Sequence, residues 1–244
     1  MSKRRGDIYR STDGGITWSD KGISWPESGD AEAENINSFC STGGNIFAGT
    51  LHGVFRSTDH GATWKANNTG LPPVVGHLAT LGGDLFAATS EGIFSSSNNG
   101  ASWNSVNQQL NGSLAVIGTD IFVGVFQFPA DTNGGVFVST DNGASWNPAN
   151  NGLTEHTINT LITDGINLYT GTNSGAFLST NGGVNWHFIS TGSQADSSVV
   201  LCLAVSSSSL VEGTLNGPLL YPLSQLSGAN NKADLIPHEY LKGG

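Results

Sequence analysis

Hydroxyl, carboxylate and amide side chains recur at one fixed spacing along this chain of 244 residues. Asp13, Asp59, Asn98, Asp141 and Asn181 each stand two residues after a serine, two before a glycine and five before a tryptophan: Trp18, Trp64, Trp103, Trp146 and Trp186. Carboxylates in a repeated setting raise the question of acid–base chemistry. The amides of Asn98 and Asn181 cannot perform it, and five copies spread along a repeat point to five places, whereas an active site needs groups that converge. One carboxylate per turn is also too few for a hard cation. A structural task suits every copy. The Asp or Asn oxygen accepts backbone N–H groups across a chain reversal, the glycine takes a positive φ, and the tryptophan enters an apolar layer.

Two loops depart from the repeat and add aromatic and acidic side chains. Between Trp18 and Ile36, "KGISWPESGDAEAEN" carries Trp25, Glu27, Asp30, Glu32 and Glu34. In the unit ending at Trp146, a turn written "TLHG" or "TNSG" elsewhere becomes "VFQFPADTNGG", which brings Phe126, Phe128 and Asp131. An apolar plate beside directional acceptors is what a sugar or a peptide needs. His52, Glu91, Glu155 and His156 belong to turns of the same class, and His77 opens a strand that leads from one. The binding set read from the sequence is therefore Trp25, Glu27, Phe128, Asp131, His52, His77, Glu91 and His156. No catalytic group is assigned, and no spacing matches a metal site or a cofactor.

These residues need a scaffold, and the scaffold is repeated. The tryptophans are 46, 39, 43 and 40 residues apart, a period that belongs to propeller blades. Upstream of the later motifs lie the aligned blocks "INSFCSTGGNIFAGT", "VGHLATLGGDLFAAT", "NGSLAVIGTDIFVGV" and "INTLITDGINLYTGT", and a fifth, "VLCLAVSSSSLVEGT", follows the last motif. Each unit reads as four short strands, A to D, with apolar residues at period two and Gly, Asn or Asp at the corners. The Ser-x-Asp-x-Gly motif lies between C and D. With A–B and C–D turns at one end of each unit, the B–C and D–A loops share the other. The chain opens on a C–D pair (Gly6 to Asp20) and closes on an A–B block (Val199 to Thr214), so five blades with one composite blade are expected. The stretch "GPLLYPL" competes for the C position of that blade, with six blades or an open fragment as alternatives. Residues 1–223 are assigned to the propeller and 224–244 to a tail.

Composition agrees. Glycine is 34 of 244 residues, about twice the usual ~7%, and charged residues are 11% against a typical ~25%. A net charge of −10 disfavours nucleic acid and anionic membranes. No apolar run approaches membrane-spanning length, and "MSKRRGDIYRSTDGG" has no signal-peptide core. Cys40 and Cys202 sit in apolar surroundings and read as buried free thiols.

The motif and its period resemble the Asp-box, or BNR repeat, of sialidases, sortilin-type receptors and photosystem II assembly factors, over residues 6 to 217. The resemblance implies an all-β fold, a β-propeller of four-stranded antiparallel blades, and an extracellular or cell-surface setting. It leaves activity open, because those families do unrelated things. Sialidases use three convergent arginines, a Tyr–Glu nucleophile and an Arg-Ile-Pro motif. Here only Arg4, Arg5, Arg10 and Arg56 exist, and no Arg-Ile-Pro. The function read from the sequence is a binding module for a glycan, a peptide or a protein, with a glycoside hydrolase of another type or a structural repeat segment as alternatives.

Overall fold

Strands of two to seven residues follow from alternating apolar positions interrupted by turn formers. The computed structural model describes residues 8–20, 36–126, 134–189 and 199–226. Trp25, Glu27, Asp30, Glu32, Glu34, Phe128, Asp131 and most of the 224–244 tail lie outside them. The chain divides into two compact units, Met1–Leu110 and Asn111–Gly244.

The first unit begins with a two-stranded sheet, β1 (Tyr9–Arg10) and β2 (Ser19–Asp20). A meander follows: β3 (Ile36–Thr42), β4 (Asn45–Thr50), β5 (Gly53–Ser57) and β6 (Lys65–Ala66). A second comprises β7 (Val75–Leu81), β8 (Asp84–Thr89), β9 (Gly92–Ser96) and β10 (Asn104–Asn107). The second unit holds β11 (Gly112–Ile117), β12 (Asp120–Val125), β13 (Gly135–Ser139) and β14 (Asn147–Pro148), then β15 (Ile158–Thr163), β16 (Leu168–Thr172), β17 (Gly175–Ser179) and β18 (His187–Ile189). Its last sheet is β19 (Val200–Val205), β20 (Ser209–Thr214) and β21 (Gly217–Pro222), after which α1 (Leu223–Leu226) makes a single turn. All pairings are antiparallel, and the sheets are propeller blades with the box at each C–D turn.

The composite blade is not formed. The third position beside β20 is held by β21, the "GPLLYP" strand, in register from Ser209↔Pro222 to Thr214↔Gly217, while β1 pairs with β2. A hairpin closed by two residues costs far less chain entropy than a pairing across the length of the chain. Where other blades continue into a box, this one continues into α1. Leu226, 6% exposed, enters the core between the last two sheets.

Inside the box the serine is the buried member. Ser57, Ser96, Ser139 and Ser179 are at most 1% exposed. Each hydroxyl accepts the N–H of the glycine four residues on, at 2.8–2.9 Å, and donates to the Asp or Asn oxygen two residues on. Asp59 accepts the Thr63 N–H at 2.8 Å and the Thr63 hydroxyl at 2.6 Å, and Asp141 treats Ser145 in the same way. Asn98 keeps this pattern by reversing one donor: its amide gives a hydrogen bond to the Ser102 hydroxyl. The residue before the box glycine is left-handed even when it carries a side chain: His60, Asn99 and Asn142 have φ of 57–58°. The hydroxyl and N–H of the residue four positions on, then the box serine, hold Asp13, Asp59 and Asp141 down at about 2.

The tryptophans divide by what lies opposite. Trp103 and Trp186, each 3% exposed, reach the preceding sheet, where their indole N–H groups bond the carbonyls of Asn67 (2.9 Å) and Ala149 (2.7 Å). Their backbone N–H groups bond Thr69 and Asn151. Trp64 is buried at 7%. Trp146 is half-buried, and Trp18 is 62% exposed, so the expectation that every box indole enters the apolar layer is corrected for Trp18. Both turn their indole N–H back to a box carbonyl, of Gly143 and Gly15. Cys40 and Cys202 are free, but only Cys40 is partly covered; Cys202 is exposed, because no described sheet covers its face of the last blade.

Glu212 is fully buried with both carboxylate oxygens unbonded. It takes the B-strand position opposite the third C-strand residue, where the other sheets have Ala48, Ala87, Val123 and Thr170. Desolvation pushes its carboxyl from 4.5 up to about 8.

Three expectations follow. Trp103→Ala and Trp186→Ala should each cost ~3–5 kcal/mol in urea unfolding, while Trp18→Ala should stay within about 0.5 kcal/mol. Asp59→Asn should be nearly neutral, since an amide can make the same bonds, whereas Ser57→Ala strips a buried acceptor and should cost roughly 1–3 kcal/mol. Glu212 takes up a proton on folding between pH 4.5 and about 8. Its contribution is therefore fully present below pH 4.5 and is lost as pH rises toward 8, by ~1.4 kcal/mol per unit. Glu212→Val should raise the melting temperature at pH 8 and flatten this slope; an unchanged slope would show that Glu212 does not titrate as described.

Candidate functional site

The B–C turns present side chains that the fold itself does not need, and a threonine positions them. The Thr50 hydroxyl donates to the Gly53 carbonyl at 3.0 Å and accepts the His52 N–H at 3.0 Å, closing a two-residue turn. Thr89 with Gly92 and Glu91, Thr172 with Gly175 and Ser174, and Thr214 with Gly217 and Asn216 repeat the clasp. His52 and Glu91 thus occupy equivalent, exposed corners. In the sheet β11–β14 the threonine is replaced by Val125. The hydroxyl is gone, and the strands part into residues 126–134 between the pair Val125↔Gly135. Phe126, at the mouth of this loop, is 46% exposed. Phe128 and Asp131 follow it beyond the described residues, as do Trp25 and Glu27 in the first unit.

An asparagine four residues after the box tryptophan props the turn from behind. Asn68 accepts the Val54 N–H at 2.7 Å and donates to the His52 carbonyl at 3.1 Å; Asn150 accepts the Val136 N–H at 2.7 Å. A Cβ on Gly53 would lie 2.5 Å from the Asn68 amide, and with φ at +103° only glycine fits there. The runs Asn68–Leu71 ("NTGL") and Asn150–Leu153 ("NNGL") are the sequence signal of this support, which apolar periodicity does not register.

The remaining candidates are separate groups. His77 follows the bulge at the start of β7, half-buried, and desolvation lowers its pKa so that the ring is neutral at pH 7. His156 is half-buried in the segment before β15. Burial works against ionisation of the neighbouring Glu155, but the Thr157 N–H at 2.9 Å and the Ser174 hydroxyl at 3.4 Å outweigh it and hold the carboxyl below its ordinary range. Among the described residues no cluster of three His, Cys, Asp or Glu side chains is placed to hold a metal ion.

Two further pairs bear on catalysis. The Tyr169 hydroxyl donates to Asp164 at 2.9 Å, but burial and then that carboxylate push the phenol up to about 12. A nucleophile requires the opposite shift. Arg56 spends its guanidinium on the Asn45 side-chain oxygen, through Nε at 3.2 Å and Nη2 at 3.0 Å.

The BNR/Asp-box repeat family matches residues 9–20 and 55–66, two of the boxes described above. None of the curated proteins matches the chain. Among solved structures, the GH74 xyloglucanase from Xanthomonas campestris superposes with a TM-score of 0.68 at 18% identity, over 89% of this chain and 41% of that one. YCF48 bound to D1 peptide gives 0.65 at 19%, over 88% and 71%. The extracellular domain of the hybrid two-component system BT4673 from B. thetaiotaomicron gives 0.65 at 18%, over 80% and 27%. The chain thus spans less than half the length of two of these three proteins, and at such identities the likeness concerns the fold. Boxes, blades and neighbours agree: the chain carries Asp-box (BNR) repeats in a β-propeller fold.

Proposed function

We propose that this propeller is a non-catalytic binding module whose B–C and D–A loops contact a peptide or protein segment. The observation that carries the reading is the opened B–C turn of β12 and β13. Four other turns are clasped by a threonine, and this one gives up the clasp for a nine-residue loop with an exposed Phe126 at its entrance. An aromatic nearly half exposed beside a loop that departs from the repeat is suited to contact a ligand. In the second unit Phe128 and Asp131 on this loop are the proposed anchors, with His156 as a polar group; in the first unit Trp25 and Glu27, between β2 and β3, are proposed, with His52, His77 and Glu91. A peptide is favoured over a glycan because a propeller of this fold, YCF48, is seen with a bound D1 peptide. The net charge of −10 selects a neutral or cationic segment. An extracellular setting accords with the BT4673 domain.

Peptide and glycan arrays probed with the wild type, Trp25→Ala and Phe128→Ala test this reading. Binding to cationic peptides should weaken as salt rises and fall about tenfold or more with a lost anchor. Binding indifferent to both substitutions removes these loops from the site. Hydrolysis of a glycoside, abolished by changing one loop carboxylate, would place the protein among the enzymes instead.

A further inference from the structure

Neighbouring sheets of the second unit are joined near their inner strands. The Ser113 hydroxyl of β11 accepts the Leu161 N–H of β15 at 3.1 Å, and the Asn159 side chain of β15 donates to the Val200 carbonyl of β19 at 3.2 Å. Packing at the second of these joints is close, since a Cβ on Gly171 would lie 2.6 Å from the Val200 side chain. Farther out, Trp186 ties β15–β18 to β11–β14 through its indole and backbone N–H groups, at 2.7 and 2.9 Å. The seam between β15–β18 and β19–β21 keeps the inner joint, but the tryptophan tie has no counterpart there among the described residues. Leu223 and Leu226 of α1 supply apolar contacts in its place.

Glu212 stands inside this seam. Residues two apart on a strand share a face, and Leu210 packs with Tyr169, Ala176, Leu178 and Ile189 of the preceding sheet, so Glu212 faces that sheet as well. Across its own sheet it lies opposite Leu203 and Leu219, which border the same cluster. The titratable groups around it are few. β16 brings Tyr169, whose hydroxyl is bonded to Asp164, and β21 brings Tyr221. His187, on the Ile189 side of β18, is exposed. β15, β17 and α1 bring none, and Cys202 of β19 lies on the opposite face from Leu203. Burial is the one cause of the raised Glu212 pKa, so none of these groups compensates a charge there. A neutral carboxyl is tolerated in such a place, whereas an ionised one requires water or a cation.

We propose that this seam is a proton-controlled joint: with Glu212 neutral the sheet β19–β21 stays docked, and with Glu212 ionised it leaves its neighbour from the outer side while β11–β18 remain folded. The missing tryptophan tie is what confines the opening, because the charge acts on a sheet fastened chiefly along its inner strand. Water then reaches the carboxylate, and the apolar face of Tyr169, Leu178 and Ile189 becomes accessible. Docking is fully favoured below pH 4.5 and weakens as pH rises toward about 8. The opening is confined to one sheet, which separates it from a pH-dependent unfolding of the whole unit. It is also independent of the loop site proposed above.

Native-state hydrogen exchange of the full chain, read by mass spectrometry between about pH 5.5 and 7.5 and in urea below the unfolding transition, measures the opening. After correction for intrinsic exchange, protection of the β20 and β21 amides should fall about tenfold per pH unit. It should be at least about tenfold weaker than in β12 and β16 and change little with urea, whereas β12 and β16 should follow the steep urea dependence of global unfolding. Glu212→Gln and Glu212→Val cannot ionise, and each should remove the pH dependence from β20 and β21. Should either variant fail to fold, the wild-type comparison of the last sheet with β12 and β16 still decides. A last sheet that shares the protection and urea dependence of β12 and β16 overturns the proposal, because the seam then opens only with the whole unit. So does a pH dependence that survives both substitutions.

Discussion

The hydrogen bond from the Trp103 indole to the Asn67 carbonyl, with its copy from Trp186 to Ala149, joins one sheet to the sheet before it. A four-stranded sheet with two apolar sides cannot bury both alone, so its stability depends on a neighbour held at a definite offset. The tryptophan supplies both parts of that requirement. Its ring fills the layer between sheets, and its indole and backbone N–H groups tie that ring to the preceding strand and loop. A Cβ on Gly70 would come within 2.5 Å of the Trp103 carbonyl, and one on Gly152 within 2.3 Å of that of Trp186. Backbone passes close to backbone at these points, and a side chain would force the sheets apart.

Seen from this joint, the box is a device for delivering the tryptophan. The buried serine closes the reversal by taking the glycine N–H, and the acid or amide fastens the outer half. Replacement of Asp by Asn at two of five positions is tolerated because the oxygen is used as an acceptor and the charge faces water. The same hydrogen bonds give every copy of the box a structural task, whether it carries Asp or Asn. In the B–C turns a threonine clasp closes two residues between the strands, and where Val125 replaces it nine residues intervene while the strand register is kept.

The last sheet shows how far the repeat can degrade. It has no box, and Leu226 of a single helical turn stands in the core where a tryptophan would be expected. Glu212 occupies a position of small or apolar residues and stays protonated through desolvation. Val211 stands where the other sheets have an aromatic ring. These changes gather in one blade of the second unit, the one that holds the raised Glu212 carboxyl.

Strand positions, the blade period, the box turns and the opened B–C loop were all legible in the residue string, because each depends on neighbours within a few positions: alternation, a Gly at positive φ, an acceptor two or four residues away. The aromatic and acidic loop residues could be named on the same basis. The support from Asn68 and Asn150 was also written there, as a recurring "NTGL" or "NNGL", but it belongs to no apolar period. What packing alone decided is which side chains have something opposite them. Trp18 and Trp103 sit in the same motif, yet one is exposed and the other sealed. Glu212 reads as an ordinary surface acid until a neighbouring sheet removes its water. Competition between β21 and the N-terminal strand for the same place was likewise settled by loop closure between residues adjacent in sequence. Burial, partner and protonation depend on atoms from distant parts of the chain, and only the folded arrangement brings those atoms within a few ångströms.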